Sequence, residues 1–276
     1  MIWIDSAAGR FGALAWGDPG APLALVLHGF PDHPPSFAGI GERLAAAGYR
    51  AVAPYLRGYA PSPSVGPYHV GQLARDVVDI AAVLSPREPV RVVGHDWGAL
   101  ATYRALALAP DRFAAAAALS VPHPVAFARN LLRQPRQLAR SWYIGALQLP
   151  GIGDWAVRRN DMSLIRRLWR DWSPSYALGD AAWCALRDCI AASLPAPIRY
   201  YRHAVSPGLF PGRIETPVLY LHGEDDGCIG FEIAAGQDAL FPCGYRAEIL
   251  PGVGHFLALE DPERVSGLIA DWLTRQ

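Results

Sequence analysis

Short apolar runs that end in Gly, Pro or His alternate along this chain with longer Ala-rich and Leu-rich stretches of helical period. The runs cover residues 23–27, 50–53, 90–93, 113–121, 218–221 and 246–250. The helical stretches cover about 37–47, 69–84, 99–109, 231–240 and 262–273. This alternation predicts an α/β fold with a mostly parallel, twisted sheet flanked by helices. Ligands of such sheets bind beyond the carboxyl ends of the strands.

The alternation stops between residues 124 and 212, where the sequence is rich in Arg and Trp and its helical pieces are separated by Pro and Gly. We interpret residues 124–212 as a helical cap inserted into the sheet domain. Residues 1–123 and 213–276 then form the two parts of the core domain. Five of the nine tryptophans fall in the cap, because a small helical layer needs large side chains to bury enough area.

The charge pattern excludes several classes of protein. All 25 basic residues are Arg, and they balance 25 acidic residues, so we expect no nucleic-acid partner. The absence of Lys excludes Schiff-base chemistry and with it pyridoxal phosphate enzymes. The chain opens without a basic stretch followed by an apolar run, and no segment reaches 18 consecutive apolar residues. We therefore expect a cytoplasmic protein with no membrane partner.

The four cysteines suggest no metal site. Cys184, Cys189, Cys228 and Cys243 form no C-x-x-C pair and lie in apolar surroundings. We expect buried, reduced thiols rather than disulfides or zinc ligands, and we expect a reaction without a metal or a cofactor. The sequence leaves the oligomeric state open, with a homo-oligomer as one option.

The segment Gly94-His95-Asp96-Trp97-Gly98 ends one apolar run and opens a helix. A G-x-S-x-G elbow places a nucleophile on such a strained turn, where any Cβ at the flanking glycines would clash. Here the central residue is Asp96, which we predict to be the nucleophile. Asp is also a favoured N-cap residue, but a cap alone does not need glycines at both 94 and 98.

Two loops at the same sheet edge supply further groups. The loop His28-Gly29-Phe30-Pro31 offers the backbone N–H of Phe30, which together with that of Trp97 would form an oxyanion hole. Phe30-Pro31 is a candidate cis peptide. Gly252-Val253-Gly254-His255 follows the last apolar run, and we predict His255 to be the general base. Three other histidines are expected to support backbone turns: His28, His95 and His222.

The loop His222-Gly223-Glu224-Asp225-Asp226 closes the run 218–221 and supplies an acid. We prefer Asp226 over Asp225 and Glu224 as the group that orients His255. A solvated acidic turn is the alternative interpretation of this loop.

The chain order is thus nucleophile, acid, histidine, as described for α/β-hydrolases. Further motifs are Tyr55-Leu56-Arg57-Gly58-Tyr59 and Val121-Pro122-His123-Pro124. Over nearly its whole length the chain resembles an epoxide hydrolase of the α/β-hydrolase fold. Pro54 stands where an acidic residue is common in that family, and Ala60 stands where Gly is usual. These departures concern loop shape.

The resemblance also implies two proton donors in the cap. The segment 141–151 resembles the family segment with the first lid tyrosine, which corresponds to Tyr143. The segment Arg199-Tyr200-Tyr201-Arg202 resembles the one with the second, and the match selects Tyr201, with Tyr200 as its rival. These phenols would hydrogen-bond the epoxide oxygen and protonate the alkoxide. The alternative is amphipathic aromatics with hydroxyls in water.

A carboxylate nucleophile selects substrates with an electrophilic saturated carbon, because attack there gives an ordinary ester. The implied function is hydrolysis of a small hydrophobic epoxide to a vicinal diol, through an Asp96 ester that water activated by His255 opens.

Three alternatives remain open. A haloalkane dehalogenase uses the same nucleophile, but many resemble His-Gly-Asn where this chain has Phe30. Fluoroacetate dehalogenases have Arg and His where this chain has Trp97 and Tyr143. A non-catalytic binding protein of this fold usually lacks the nucleophile or the last histidine, whereas this chain retains Asp96 and His255.

Overall fold

The computed structural model describes residues 1–203 and 209–276. Within these residues eight strands form one sheet in the order β1-β2-β4-β3-β5-β6-β7-β8. The strands are β1 (Ile2–Ser6), β2 (Gly9–Trp16), β3 (Leu23–Leu27), β4 (Arg50–Pro54), β5 (Val90–His95), β6 (Phe113–Leu119), β7 (Val218–Gly223) and β8 (Tyr245–Leu250). Strands β3 to β8 are parallel, while β1 pairs with β2 and β2 with β4 in antiparallel register.

Helices cover both faces of the sheet, as predicted. The core helices are α1 (Ala38–Ala46), α2 (Val70–Leu84), α3 (Trp97–Leu108), α10 (Leu257–Glu260) and α11 (Pro262–Arg275). Side chains of β3 alternate between two cores: Leu25 packs in the same apolar cluster as Leu73 of α2, whereas Val26 packs in the cluster of Ile269 of α11. Because both faces are covered, these strands are continuous apolar runs.

Six helices lie between β6 and β7 in the part of the chain that the structure describes, and we call residues 124–203 the helical insertion. Its helices are α4 (Pro124–Leu131), α5 (Pro135–Arg140), α6 (Trp142–Gln148), α7 (Ile152–Trp172), α8 (Asp180–Ser193) and α9 (Ala196–Arg202). Helix α7 is interrupted between Arg159 and Met162 by non-helical backbone. The division of the chain into a core and a cap at 124–212 stays a prediction, and residues 204–208 of that range lie outside the described residues.

Three details of the sequence predictions are wrong. The hairpin of β1 and β2 is missing from the predicted strands: β1 has one buried residue among exposed and half-buried ones, and β2 is buried only at residues 11–13. The predicted helix 231–240 consists of two short 3₁₀ turns, separated where Gly236 has a φ of +72°. Cys184 and Cys243 are exposed and Cys189 is half-buried, so only Cys228 is the buried thiol that we expected.

None of the helices in the described ranges combines the length and the apolar character that a membrane crossing requires.

A buried ion pair fixes the loop that follows β4. The Arg57 guanidinium donates to both carboxylate oxygens of Asp76 at 2.7 Å, and its remaining N–H groups reach the carbonyls of Val65 and Ala8. The two side chains are 6% and 4% exposed. Removing one partner of such a pair leaves an uncompensated buried charge.

We expect Asp76→Ala to lower the free energy of unfolding by about 3–5 kcal/mol, because Arg57 would stay buried without its carboxylate. Chemical denaturation measures this loss. The matched control is Asp271→Ala, which breaks the exposed pair with Arg275 and should cost at most about 0.5 kcal/mol. Equal losses in the two variants would show that burial of the Arg57 pair is unimportant.

Candidate active site

The turn between β5 and α3 exposes Asp96 at the carboxyl edge of the sheet. Asp96 has φ +51° and ψ −118°, a conformation that is strained for a residue with a Cβ. A Cβ on Gly94 would collide with the carbonyl of Gly98, and one on Gly98 would lie 2.6 Å from the carbonyl oxygen of His28. The Asp96 side chain makes no capping hydrogen bond to α3. The turn therefore has the predicted elbow geometry, and Asp96 is not a helix cap.

Backbone donors hold the Asp96 carboxylate. The N–H of Phe30, in the loop after β3, donates to Asp96 Oδ1 at 2.7 Å, and the backbone N–H of Trp97 lies near enough to lower the pKa of this carboxyl. The peptide bond Phe30-Pro31 is cis, as the sequence suggested. The backbone N–H groups of Phe30 and Trp97 thus both lie beside this side chain, at the N-terminus of α3, whose dipole favours negative charge; their role as an oxyanion hole stays a prediction.

The loops after β7 and β8 bring Asp226 and His255 together. His255 Nδ1 donates to Asp226 Oδ2 at 2.8 Å, and His255 Nε2 lies 3.9 Å from Asp96 Oδ2. Nε2 has no hydrogen-bond partner among the described residues. The three side chains are buried. An imidazole with one nitrogen bound to a carboxylate and the other facing the nucleophile has the geometry of a general base.

The loop after β7, residues 224–229, is called the acid loop, and its three carboxylates differ in their surroundings. Asp226 is buried and accepts hydrogen bonds from the backbone N–H groups of Cys228 at 2.7 Å and Ile229 at 2.8 Å. Glu224 and Asp225 are exposed to solvent. The structure thus places Asp226, and not its neighbours, against His255.

Charges around the imidazole set its pKa. Burial opposes protonation of His255, but the Asp226 and Asp96 carboxylates outweigh burial and raise the pKa of His255 above 6.5. Burial works against ionisation of Asp226 as well, yet its contacts with His255 and His222 hold the pKa of this carboxyl well below the usual range. Burial raises the pKa of Asp96, and the nearby His255 limits that rise.

The three remaining motif histidines support turns, as predicted. His28 Nε2 accepts a hydrogen bond from the Leu56 N–H, and His95 Nε2 bonds the carbonyl oxygen of His255. His222 Nε2 lies 2.9 Å from the Ile229 carbonyl oxygen and 3.2 Å from Asp226 Oδ2.

Two tyrosines of the helical insertion face the nucleophile. The rings of Tyr143 in α6 and Tyr201 in α9 pack edge to face, with centroids 5.5 Å apart. Burial raises the pKa of both phenols well above 10, and the negative charge of Asp96 adds to this rise. Both hydroxyls are therefore protonated donors at neutral pH. The Tyr201 hydroxyl has no hydrogen-bond partner among the described residues. Tyr200, its rival, instead donates its hydroxyl to the Arg57 carbonyl.

An apolar cavity of about 300 Å³ ends at these groups, and Asp96, Tyr143 and Tyr201 contribute its polar atoms together with Trp97. Its apolar wall includes Leu100, Val121, Phe127, Leu131, Ile144 and Ile229. Such a volume accommodates a small molecule. The cavity therefore offers a hydrophobic ligand one carboxylate and two phenol hydroxyls at one end.

A group of potential metal ligands lies beside the cavity but does not fit a metal ion. Ligand atoms of Asp226, Cys228 and His255 lie within 4.8 Å of one another. The three groups already bind one another or their neighbours: His255 Nδ1 donates to Asp226 Oδ2 at 2.8 Å, and the Cys228 thiol lies 3.4 Å from the Tyr143 hydroxyl. The Asp226 oxygens accept three hydrogen bonds, from Cys228, Ile229 and His255.

Sequence reasoning missed two residues that touch the site. The Cys228 thiol lies 3.4 Å from the Tyr143 hydroxyl, and Glu260 binds the backbone on both sides of His255. Neither belongs to a motif. The position of Glu260, five residues after His255 and just before the last helix, was the available signal.

The comparisons with known proteins agree with this geometry. The alpha/beta hydrolase fold family matches residues 22–151. Epoxide hydrolase 4 of Mus musculus is 30% identical over 288 residues, which cover 100% of this chain and 79% of that protein. Epoxide hydrolase A of Mycobacterium tuberculosis is 29% identical over 318 residues, which cover 98% of this chain and 96% of that protein.

A crystal structure of the Bacillus megaterium epoxide hydrolase in complex with an inhibitor superposes with a TM-score of 0.86. It is 23% identical and covers 99% of this chain and 100% of that chain. The sheet, the elbow and the loops define a protein of the α/β-hydrolase fold. Within that fold, the chain belongs to the epoxide hydrolase family of enzymes.

The close approach of Gly29 to Asp96 provides a test of the site. A Cβ on Gly29 would lie 2.7 Å from Asp96 Cγ and closer still to Oδ1. Gly29→Ala should therefore displace the carboxylate and lower kcat/KM for an aryl epoxide by about 100-fold or more. Gly39→Ala is the matched control, because its Cβ would meet Pro262 at 3.6 Å and activity should persist. Full activity in Gly29→Ala would show that the reaction does not depend on the position of Asp96.

Proposed function

We propose that this enzyme hydrolyses small hydrophobic epoxides to vicinal diols through a covalent ester on Asp96. One observation carries the proposal: the buried Asp96 carboxylate stands at the end of an apolar cavity, with two phenol donors facing it and the free nitrogen of His255 3.9 Å away. A nucleophile, two acids and a base thus surround one small volume.

In the first step an Asp96 oxygen attacks one epoxide carbon. The bond from that carbon to the epoxide oxygen breaks, and the electron pair stays on the oxygen as an alkoxide. Tyr143 and Tyr201 hydrogen-bond this oxygen, and one phenol transfers its proton to it. The products of the step are a hydroxyalkyl ester of Asp96 and a tyrosinate. The tyrosinate later takes up a proton from solvent.

In the second step His255 Nε2 takes a proton from water, and the hydroxide attacks the carbonyl carbon of the Asp96 ester. The tetrahedral oxyanion that forms is held by the Phe30 and Trp97 N–H groups. Collapse breaks the bond from the carbonyl carbon to the alkyl oxygen, and the diol leaves with the proton from His255. Asp96 is left as a carboxylic acid that contains one water oxygen. It loses its proton to solvent, which balances the proton that the tyrosinate takes up, and Asp226 stabilises the imidazolium meanwhile.

The two tyrosines favour an epoxide over a haloalkane. A halide leaves as a stable anion and needs only weak N–H donors, whereas an alkoxide is strongly basic and needs a proton. Both phenols are buried and neutral, so they can donate a proton where the alkoxide forms. A dehalogenase would have no use for this pair of acids.

We expect His255→Gln to accumulate the ester, because the substituted side chain cannot accept a proton from water. Incubation with styrene oxide followed by peptide mass spectrometry should show an adduct on Asp96. In the wild type, a single turnover in heavy-oxygen water with enzyme in excess should place the label in the Asp96 carboxylate. Label that enters the diol alone would mean that water attacks the epoxide directly.

The tyrosine variants test the proton donors. Tyr143→Phe and Tyr201→Phe should each slow formation of the ester by about 10²-fold or more, since a general acid contributes about 10²- to 10⁴-fold. Hydrolysis of the ester should stay nearly unchanged, and quenched-flow mass spectrometry separates the two rates. Tyr200→Phe is the matched control and should form the ester at the wild-type rate. Slower hydrolysis with normal ester formation would remove the tyrosines from the acid role.

A further inference from the structure

The carboxylate of Glu260, at the C-terminal end of α10, binds the backbone on both sides of His255. Its Oε2 accepts the Gly254 N–H at 2.8 Å, and its Oε1 accepts the Phe256 N–H at 3.1 Å. The same Oε1 accepts the hydroxyl of Ser173 at 2.5 Å. Three donors on one half-buried carboxylate are typical of an ionised acceptor.

The loop after β8 that carries His255, residues 252–256, is called the base loop. It is also bound to the end of α7 in the helical insertion. The carbonyl oxygen of Trp172 accepts the N–H of His255 and the N–H of Gly227, both at 3.1 Å. The Ser173 hydroxyl oxygen accepts the Phe256 N–H at 3.1 Å. One residue pair at the end of α7 therefore contacts both the acid loop and the base loop.

Two glycines make this close approach feasible. A Cβ on Gly227 would collide with the Asp171 carbonyl, and a Cβ on Gly254 would lie 2.7 Å from the Ser173 Cα. Neither glycine is needed for a positive φ, because neither has one. Their lack of a side chain serves the contact between the two loops and α7.

We propose that Glu260 is a positioning residue that, together with Ser173, holds His255 in place for hydrolysis of the Asp96 ester. This inference rests on the two-step reaction proposed above. Glu260 touches neither the cavity nor Asp96, so its effect passes through the backbone of the base loop and through its charge.

The contacts of Glu260 should matter for the second step alone. Asp96 is held by the elbow and by the Phe30 N–H, which do not involve Glu260, so ester formation is independent of it. His255 stands on a loop with glycines at 252 and 254, and without an anchor such a loop samples many conformations. A displacement of about 1 Å at a reacting group costs about 100-fold in rate.

The charge of Glu260 acts in the same direction as that of Asp226. It favours the imidazolium form and raises the pKa of His255. The other ionisable groups near the imidazole in the described part of the chain are Asp226, Asp96, His95, Asp32 and Cys228. Once Asp96 is esterified it carries no charge, so the relative contribution of Glu260 increases in the step where His255 is the base.

The test measures ester formation and ester hydrolysis separately, by quenched-flow mass spectrometry with styrene oxide, between pH 5 and 9. Glu260→Ala should form the ester at the wild-type rate and hydrolyse it about 10- to 100-fold more slowly. Glu260→Gln keeps the shape of the side chain and removes its charge. Because hydrolysis requires neutral His255, its rate rises with pH through the pKa of His255. The lower pKa in Glu260→Gln should therefore shift this midpoint to lower pH.

Ser173→Ala removes one link to α7 and should also slow hydrolysis only. Glu263→Gln is the matched control, since Glu263 is an exposed carboxylate three residues further on; its rates and midpoint should equal those of the wild type.

Specific outcomes overturn the inference. Ester hydrolysis at the wild-type rate in Glu260→Ala would overturn it, and so would an unchanged pH midpoint in Glu260→Gln. If Glu260→Ala does not fold, the midpoint of Glu260→Gln decides the question. Equal slowing of both steps would show a merely structural role. Failure of His255→Gln to form any Asp96 adduct would instead overturn the two-step reaction itself.

Discussion

The site depends on an ionised carboxylate held where little water can solvate it. Burying the Asp96 charge costs several kcal/mol unless hydrogen bonds and opposite charge offset it. The His255 imidazole, the Phe30 N–H and the backbone at the N-terminus of α3 offset part of that cost. Gly98 is required because the β3 loop approaches it closely, and Gly94 is required because the start of α3 packs on it. In the proposed second step the same N–H groups would face the oxyanion of the ester, so that step would need no reorganisation of the site.

Burial on both faces of the sheet explains which parts of the fold were predictable. Strands β3 to β7 lie between two helical layers and are therefore visible in the sequence as apolar runs, whereas the hairpin of β1 and β2 and the edge strand β8 are partly exposed to solvent. The incorrect helix prediction at 231–240 has a different cause. Its composition suits a helix, but Gly236 takes a positive φ between the two 3₁₀ turns, which a continuous helix does not allow.

Each predicted site residue either follows a strand on a glycine-containing turn or lies in a segment that resembles the family. Turn chemistry is local, so Asp96, Asp226 and His255 were visible in the sequence. The choice between Tyr200 and Tyr201 was harder because adjacent helical residues point about 100° apart, and only the packing of α9 decides which faces the cavity. Glu260 left only its position as a signal, although its contacts with Gly254 and Phe256 are local. Ser173 and Cys228 were invisible because their contacts connect segments 87 and 85 residues apart.

In the proposed reaction, the helical insertion would contribute to ester formation and to ester hydrolysis in different ways. Helices α6 and α9 bring Tyr143 and Tyr201 to the leaving oxygen, which is the requirement of ester formation. The end of α7 binds the acid and base loops through the Trp172 carbonyl, which is the requirement of ester hydrolysis. A rigid-body displacement of the insertion would therefore disturb both the proton donors and the base. Because α7 is anchored to the two loops by backbone hydrogen bonds and close glycine contacts, while α6 packs on α7 and on α9, the base loop and the two tyrosines keep a fixed relation to each other. Variation in substrate size is then left to the apolar wall, whose side chains carry no catalytic task.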